Sequence, residues 1–160
     1  MGVTVNHRTF VIERLLPGSP RHAFRFWSDI TLKRQWTACH PDWEVLEDLL
    51  SFEVGGEERL RWRMPNGLEQ GMVAHYLEIH PGERIVYAYR MDVGGLPISS
   101  SLVTVEFTER SAATLMTFTE QAVFGTMQDG DIREGGTGVG FDRLVAVMHD
   151  QQKHEIDPVP

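Results

Sequence analysis

The chain has 160 residues, the size of one domain, and its 15 Lys and Arg against 23 Asp and Glu give a net charge of −8. Because phosphate backbones and anionic membrane surfaces bind basic proteins, this acidic balance predicts neither a nucleic-acid nor a membrane partner. No apolar run reaches the roughly 18 residues of a membrane-spanning helix. With 41% hydrophobic and 24% charged residues, the composition is that of a globular protein with its own core.

Cysteine content and the start of the chain bear on its compartment. Cys39 is the single cysteine, so no internal disulfide can form. Residues 1–14 are polar and lack the apolar core of a secretory signal. Both observations predict a reducing, cytoplasmic environment.

The first predicted elements are one strand and two short helices. Residues 8–16 alternate weakly and are rich in Phe and β-branched side chains, which is typical of a strand. Ser19 is suited to cap a first helix. Ser28 or Asp29 is suited to cap a second helix, which carries Trp36.

The middle of the chain alternates with period two, in six runs joined by short turns. Connections this short predict antiparallel neighbours, and therefore a meander of strands. The pair Asn66-Gly67 predicts a tight hairpin, because both residue types tolerate positive φ. The six runs are residues 44–52, 57–64, 68–80, 84–92, 99–109 and 113–123.

A long helix is predicted at the end of the chain, from about residue 134 or 136 to 152, with one apolar stripe. Glycines in its first half each cost about 0.5–1 kcal/mol relative to alanine, so either the helix begins later or a close backbone approach offsets the cost. The element order predicts an α+β fold, in which a curved antiparallel sheet of six to seven strands surrounds this helix. The space between sheet and helix is a natural ligand cavity.

Glu120 is the candidate catalytic residue. It shares strand parity with Met116 and Phe118, so its carboxylate points into the core if they do. Burial suits a carboxylate to general acid–base catalysis near neutral pH. The alternative is a structural carboxylate at a frayed strand end, paired with an arginine or capping backbone amides.

Three polar residues on the predicted strands are candidates for ligand binding. Tyr87 and Tyr89 share one face of their strand, where their hydroxyls could orient a ligand or their rings could simply fill the core. His75 shares the parity of Val73 and Ile79, which predicts an inward side chain, either a hydrogen-bonded core residue or a ligand contact.

Apolar side chains of the second helix, the last strand and the final helix complete the predicted cavity lining. No Cys or His spacing typical of a metal site occurs, so no metal is predicted. These lining residues are Trp36, Met116, Phe118, Phe141, Leu144 and Val145.

Three arginines alternate along one strand. Arg59, Arg61 and Arg63 share a face, and Leu60 and Trp62 lie on the other. A cationic patch of this kind could clamp a carboxylate or an acidic partner. The alternative is an ordinary solvated face of the sheet.

Several short motifs, in this order, resemble the SRPBCC or START-like (Bet v 1-like) superfamily. They are Phe52-Glu53-Val54-Gly55-Gly56-Glu57, residues 84–89, residues 101–107, Thr117-Phe118-Thr119-Glu120-Gln121 and Arg133-Glu134-Gly135-Gly136. More narrowly, the chain is similar to the branch named for the activator of Hsp90 ATPase. One departure is visible, because Ala122-Val123-Phe124-Gly125-Thr126-Met127 stands where that branch often has Gly-x-Phe-Leu-Asp-Gly.

The resemblance implies a single helix-grip domain with its core at about residues 8–150 and a tail at 153–160. It also implies a hydrophobic cavity, no fixed cofactor, and functions that range over lipid or polyketide binding, cyclase or hydratase chemistry, and protein-partner roles. The leading hypothesis is a monomer or homodimer that binds a small apolar or aromatic ligand.

Two alternatives belong to other functional classes. One is a lyase, cyclase or isomerase in which Glu120 moves a proton and Tyr87, Tyr89 or His75 stabilises an oxyanion. The other is stimulation of a chaperone ATPase, as the family name suggests. The resemblance implies a separate N-terminal domain for that contact, and 160 residues leave no room for one.

Overall fold

The computed structural model describes residues 5–37 and 40–156, with side chains as far as Lys153. Cys39, on which the predicted compartment partly depends, and the last four residues lie outside this description. The elements in chain order are β1 (Asn6–Pro17), α1 (Pro20–Ser28), α2 (Ile30–Thr37), β2 (Glu44–Leu50), β3 (Glu57–Arg63), β4 (Glu69–His80), β5 (Arg84–Val93), β6 (Leu96–Arg110), β7 (Ala113–Phe124) and α3 (Met127–Ile156).

All seven strands form one antiparallel sheet in the order β1-β7-β6-β5-β4-β3-β2. Strands β2 to β7 are the predicted meander, and β1 closes the sheet by pairing with β7 along its whole length. The helices α1 and α2 carry the chain from β1 to the opposite edge of the sheet. The predicted α+β helix-grip fold is therefore confirmed.

The short helices begin where the sequence predicts. The Ser19 hydroxyl accepts a hydrogen bond from the His22 amide at 3.2 Å. Asp29 does the same for α2, since its Oδ1 accepts from the Thr31 amide at 2.9 Å. Caps of this kind satisfy amides that have no partner inside the helix, and each typically stabilises a helix by about 1 kcal/mol. The caps fix the direction in which α1 and α2 present Trp27 and Trp36 to the core.

The two-residue hairpin turns lie elsewhere than at the predicted one. At Asn66-Gly67 only Gly67 has positive φ, +88°. The turn between β5 and β6 places Gly94 and Gly95 at φ 59° and 80°, and the turn between β6 and β7 places Ser111 and Ala112 at φ 46° and 68°. Two successive positive φ values are the type I′ geometry that matches the twist of a hairpin. Sequence preference did not reveal the Ser111-Ala112 turn, because neither residue type favours that conformation.

The final helix is longer than predicted at both ends. It begins at Met127 rather than at residue 134 or 136, and it continues to Ile156, so helix occupies the first part of the predicted tail. The Thr126 hydroxyl accepts from the Asp129 amide at 3.0 Å, which satisfies one free amide of the first turn. The apolar stripe is confirmed, since Phe141 and Met148 are buried.

Close approach accounts for only part of the glycine content of α3. A Cβ at Gly130 would lie 2.9 Å from Cδ of Arg8, whereas Gly135 and Gly136 have open space around them. None of the helices in the described part of the chain is long and apolar enough to cross a membrane.

Candidate functional site

A cavity of about 230 Å³ lies between the inner face of the sheet and the helices α2 and α3. Half of its lining residues are aromatic or methionine, and the rest include three neutral polar residues and four ionisable ones. The neutral polar residues are Thr37, Gln70 and Thr137. Its larger apolar residues are Trp27, Trp36, Leu60, Trp62, Met72, Tyr87, Met91, Phe118 and Phe141. Its charged residues are Lys33, Glu58, Glu120 and Arg143.

Glu120 lies on β7 with no part of its side chain exposed to solvent. The Tyr89 hydroxyl lies 2.9 Å from Oε1 and 2.8 Å from Oε2 of this carboxylate. Ser101 donates to Oε2 at 2.8 Å, and Arg133 donates to the same oxygen at 3.3 Å. Oε2 thus receives three contacts, whereas Oε1 has the Tyr89 hydroxyl as its one partner among the described residues.

Arg133 links the first half of α3 to this carboxylate. Its Nη1 donates to the Tyr89 hydroxyl at 2.7 Å, and its Nη2 donates to the Ser99 hydroxyl at 2.7 Å. The guanidinium carbon lies 5.3 Å from the centroid of the Tyr89 ring and 5.4 Å from that of Phe124, which is cation–π distance. A buried charge pair of this kind needs such additional hydrogen bonds to offset its loss of hydration.

A second buried ion pair lies in the cavity wall nearer α2. Nζ of Lys33 donates to Oε1 of Glu58 at 2.7 Å and to the Tyr76 hydroxyl at 3.2 Å. Arg34 bridges Glu58, at 3.0 Å, and Asp48. Burial alone would raise the pKa of Glu58, but the attraction of Lys33 and Arg34 outweighs it and lowers that pKa. Burial lowers the pKa of Lys33, against the opposing attraction of Glu58.

A row of tyrosines joins the two charged clusters across the floor of the cavity. The Tyr87 ring lies 5.8 Å from the Tyr76 ring and 5.8 Å from the Tyr89 ring, between centroids. These are the three tyrosines of the chain. Burial is the main cause that raises the pKa of each phenol above 10.0, and the carboxylates Glu58 and Glu120 raise it further.

We expect alkaline unfolding to be steep and to coincide with tyrosine ionisation. Below pH 10 the three phenols are protonated in both states, and their contribution to stability is complete. Above it the unfolded chain loses protons that the folded chain keeps, so stability falls as pH rises. Lys33 acts in the opposite direction up to its ordinary pKa of 10.5, since its folded pKa is lowered.

The measurement is a pH titration that follows tyrosinate absorbance and far-ultraviolet circular dichroism together. The two signals should change at the same pH. Tyrosinate absorbance that appears while the circular dichroism is still native would contradict the buried, hydrogen-bonded positions of these phenols.

The structure brings six of the predicted site residues together around the cavity. Glu120, Tyr87 and Tyr89 have the inward parity predicted for them, and Trp36, Phe118 and Phe141 lie beside them. The frayed-end interpretation of Glu120 is wrong, because β7 pairs at this residue with both β1 and β6. Its predicted ion pair with an arginine is present. A role for Glu120 in proton transfer stays a prediction.

Three predicted lining residues do not reach the cavity. Met116 and Leu144 are fully buried in the core, and Val145 packs against that core. Met116 lies two residues before Phe118 in β7, opposite Phe107, and Leu144 lies about one turn beyond Phe141 in α3. All three belong to the core or pack against it, and none is among the residues that line the cavity.

The inward prediction for His75 is wrong. Its side chain is 53% exposed on the outer face, where Nδ1 lies 3.6 Å from Glu57. The pairing register shifts between Tyr76 and Glu78, so Ile79 faces inward although its parity differs from that of Tyr76. Among the described residues no group of three His, Cys, Asp or Glu side chains is placed to bind a metal ion.

The arginine row on β3 belongs to the solvated face of the sheet. Arg59 pairs with Glu57 at 2.8 Å, Arg61 with Asp92 at 3.0 Å, and Arg63 with Glu44 at 2.9 Å. Ion pairs that are exposed in this way contribute little to stability. Their carboxylate partners come from the same sheet, which agrees with the ordinary interpretation of this row.

Sequence reasoning missed the arginines and the buried lysine of the site. Lys33 and Glu58 each interrupt an apolar face, since Lys33 is three residues from Trp36 and Glu58 has the parity of Leu60. A charged residue that interrupts an otherwise apolar face was the signal in the sequence for both of these residues. For Arg133 the signal was the pattern Thr-x-x-Asp at residues 126–129, which is typical of the beginning of a helix and would have placed Arg133 inside α3.

Together, the curved antiparallel sheet, the two short helices after β1 and the long final helix beside a lined cavity define a protein of the helix-grip class. A family model described as "Activator of Hsp90 ATPase homolog 1-like protein" matches residues 17–149, and the chain belongs to that family. No curated protein matches the sequence.

Solved structures of bacterial proteins have the same architecture. A protein from Rhizobium leguminosarum is 42% identical, with 92% of this chain and 97% of that one covered at a TM-score of 0.86. The Mll3558 protein from Rhizobium loti is 37% identical, with 89% and 98% covered and a TM-score of 0.83. Protein CV1439 from Chromobacterium violaceum is 23% identical, with 88% and 96% covered and a TM-score of 0.71, which shows the shared fold alone.

Proposed function

We propose that this protein binds a compact, largely apolar ligand in the cavity between the sheet and α3. One observation carries the proposal, namely a space of about 230 Å³ in which aromatic rings and methionines make up half of the lining residues. Ligand pockets typically combine such apolar lining with a few placed polar groups. Here the polar groups are ordered by their own ion pairs before any ligand enters.

The volume of the cavity restricts the size of the ligand. An apolar cavity of about 150 Å³ accepts benzene, whereas pockets for drug-sized molecules measure about 300–1,000 Å³. A space between these limits suits a body of one or two fused rings. A long-chain lipid would extend beyond it, so the wider range of ligands implied by the resemblance is narrowed to small ring compounds.

The catalytic alternative requires that an oxygen of the Glu120 carboxylate be free to exchange a proton with a ligand. Its Oε2 is already contacted by Tyr89, Ser101 and Arg133, so a proton exchanged with a ligand would have to use Oε1. Nothing in this geometry requires turnover, and binding alone accounts for the ordered polar groups. Binding is therefore the function we propose.

The test is thermal unfolding of the protein with 2-naphthol, indole and palmitate. A ligand of the native state stabilises it by about 2.7 kcal/mol at 100 times its Kd. We expect 2-naphthol and indole to raise the melting temperature and palmitate to have little effect.

A cavity-filling variant locates the binding. Leu60→Trp adds a large side chain to the lining of the cavity and should abolish the shifts. Leu102→Trp makes the same change on the exposed outer face of β6 and should preserve them. An absence of any shift in the wild-type protein, or shifts that persist in Leu60→Trp, would contradict the proposal.

A further inference from the structure

The cavity lining holds two cations and two carboxylates, but both carboxylates already have cationic partners. Glu58 pairs with Lys33, and with Arg34, which Asp48 neutralises in turn; Glu120 pairs with Arg133 from behind the lining. Arg143 also lines the cavity but forms no ion pair with a carboxylate in the part of the chain that the structure describes. Counted with these partners, the cavity wall has one positive charge in excess.

Arg143 is held in place through one of its five N–H groups. Its Nε donates to the main-chain carbonyl of Trp36 at 3.1 Å, at the end of α2. One turn earlier in α3, a Cβ at Gly140 would lie 3.7 Å from Nη2, so the guanidinium extends along a position with no side chain. The two terminal nitrogens keep the planar pair of donors that binds a carboxylate through both oxygens.

One neutral donor in the same cavity also lacks an acceptor. Tyr87 lines the cavity, and its hydroxyl forms no hydrogen bond within the part of the chain that the structure describes. The indole N–H of Trp27 has no partner among the described residues either, but this atom is buried away from the cavity. A ligand that supplies an acceptor to the Tyr87 hydroxyl therefore gains a hydrogen bond.

These groups lie along one stretch of the cavity wall. The Trp27 ring is 5.0 Å from the ring of Trp36, the residue whose main-chain carbonyl accepts from Arg143, and 6.4 Å from the Tyr87 ring, between centroids. A bound molecule of one or two rings over Trp27 thus has a cation on the Trp36 side and a phenol on the Tyr87 side.

We infer that the ligand is a compact ring-bearing monocarboxylic acid, whose carboxylate binds Arg143. This inference rests on the proposed function and adds the chemical class of the ligand. One excess positive charge matches one carboxylate, whereas a phosphate monoester brings a charge of about −1.5 to −2. An acceptor elsewhere on the ring body would meet the Tyr87 hydroxyl.

The test compares 2-naphthoate with 2-naphthamide, which has nearly the same shape without the charge, by isothermal titration calorimetry on the full chain. We expect the acid to bind the wild-type protein about tenfold or more tightly than the amide, as a charged hydrogen bond implies. In Arg143→Gln this preference should disappear while the amide keeps its affinity. Arg90→Gln removes an exposed charge from the outer face of β5 and should leave the preference intact.

The possible results separate this inference from the proposed function. Equal binding of acid and amide to the wild-type protein overturns the carboxylate assignment and leaves ligand binding intact. A preference that persists in Arg143→Gln overturns the assignment in the same way. No binding of the acid at about 1 mM also overturns the inference, and the neutral compounds above then decide whether the proposed function survives. Should Arg143→Gln fail to fold, the wild-type ratio of the two affinities decides alone.

Discussion

Glu58→Gln should lower the free energy of unfolding by about 3–5 kcal/mol, the usual effect of removing one partner from a buried ion pair. Glu58 is 3% exposed, and its carboxylate is shared by Lys33 and Arg34. With Gln at this position the Lys33 ammonium remains buried without an anion. Arg34 keeps Asp48, so most of the loss arises at Lys33.

Denaturant unfolding of this variant needs two comparisons. Glu57→Gln makes the same change one residue earlier in β3, where the carboxylate pairs with the exposed Arg59, and should cost less than about 1 kcal/mol. Lys33→Met should cost less than Glu58→Gln, because Arg34 still neutralises Glu58. Equal losses for Glu57→Gln and Glu58→Gln would show that the inner pair is no more important than a surface one.

Glu120→Ala should destabilise the protein by a similar amount, about 3–5 kcal/mol. The substitution removes the acceptor shared by Tyr89, Ser101 and Arg133, all of them wholly or largely buried. Arg133 also connects α3 to the sheet, so its release should loosen the helix locally. Hydrogen exchange of amides 127–140 should accelerate more than that of amides 141–153.

The control is Gln121→Ala, on the exposed face of the same strand, which should change stability by no more than about 0.5 kcal/mol. A uniform acceleration of exchange along α3 in Glu120→Ala would argue that Arg133 does not anchor the helix. A loss in stability as small as that of the control would mean that the network around Glu120 contributes little to folding.

Alternation along the strands was sufficient to predict much of the fold and part of the site. The parity of Met116 and Phe118 placed Glu120 inside correctly, and the shared face assigned to Tyr87 and Tyr89 is the one that lines the cavity. Parity depends on an uninterrupted pleat, however. In β4 the pairing register shifts between Tyr76 and Glu78, so a residue beyond the shift can share the parity of His75 and still lie on the opposite face of the sheet. Ile79 is such a residue, and its inward position therefore gave no information about the face of His75.

The cationic side of the site could not be predicted by the same reasoning. Arg133 lies in the glycine-rich first half of α3, which shows no apolar stripe, and the predicted helix began after or next to it. Arg143 lies off the apolar stripe of α3, and the helical pattern shows which residues are polar but not that α2 ends beside this position. Its contact depends on where Trp36 lies in three dimensions.

The two halves of α3 are attached to the rest of the protein by different forces. Exposed ion pairs from Arg8 to Asp131 and Glu134 help to attach the first half, whereas Leu144 and Met148 bury the second half in the core. Salt screens exposed charges, with a Debye length of about 8 Å at physiological ionic strength and about 3 Å at 1 M, but it does not weaken apolar burial. Concentrated salt therefore weakens the contacts of Arg8 with the first turns of α3, whereas the buried Glu120–Arg133 pair and the apolar far end of the helix keep their strength. The beginning of α3 is thus the part of the helix whose attachment responds to ionic strength.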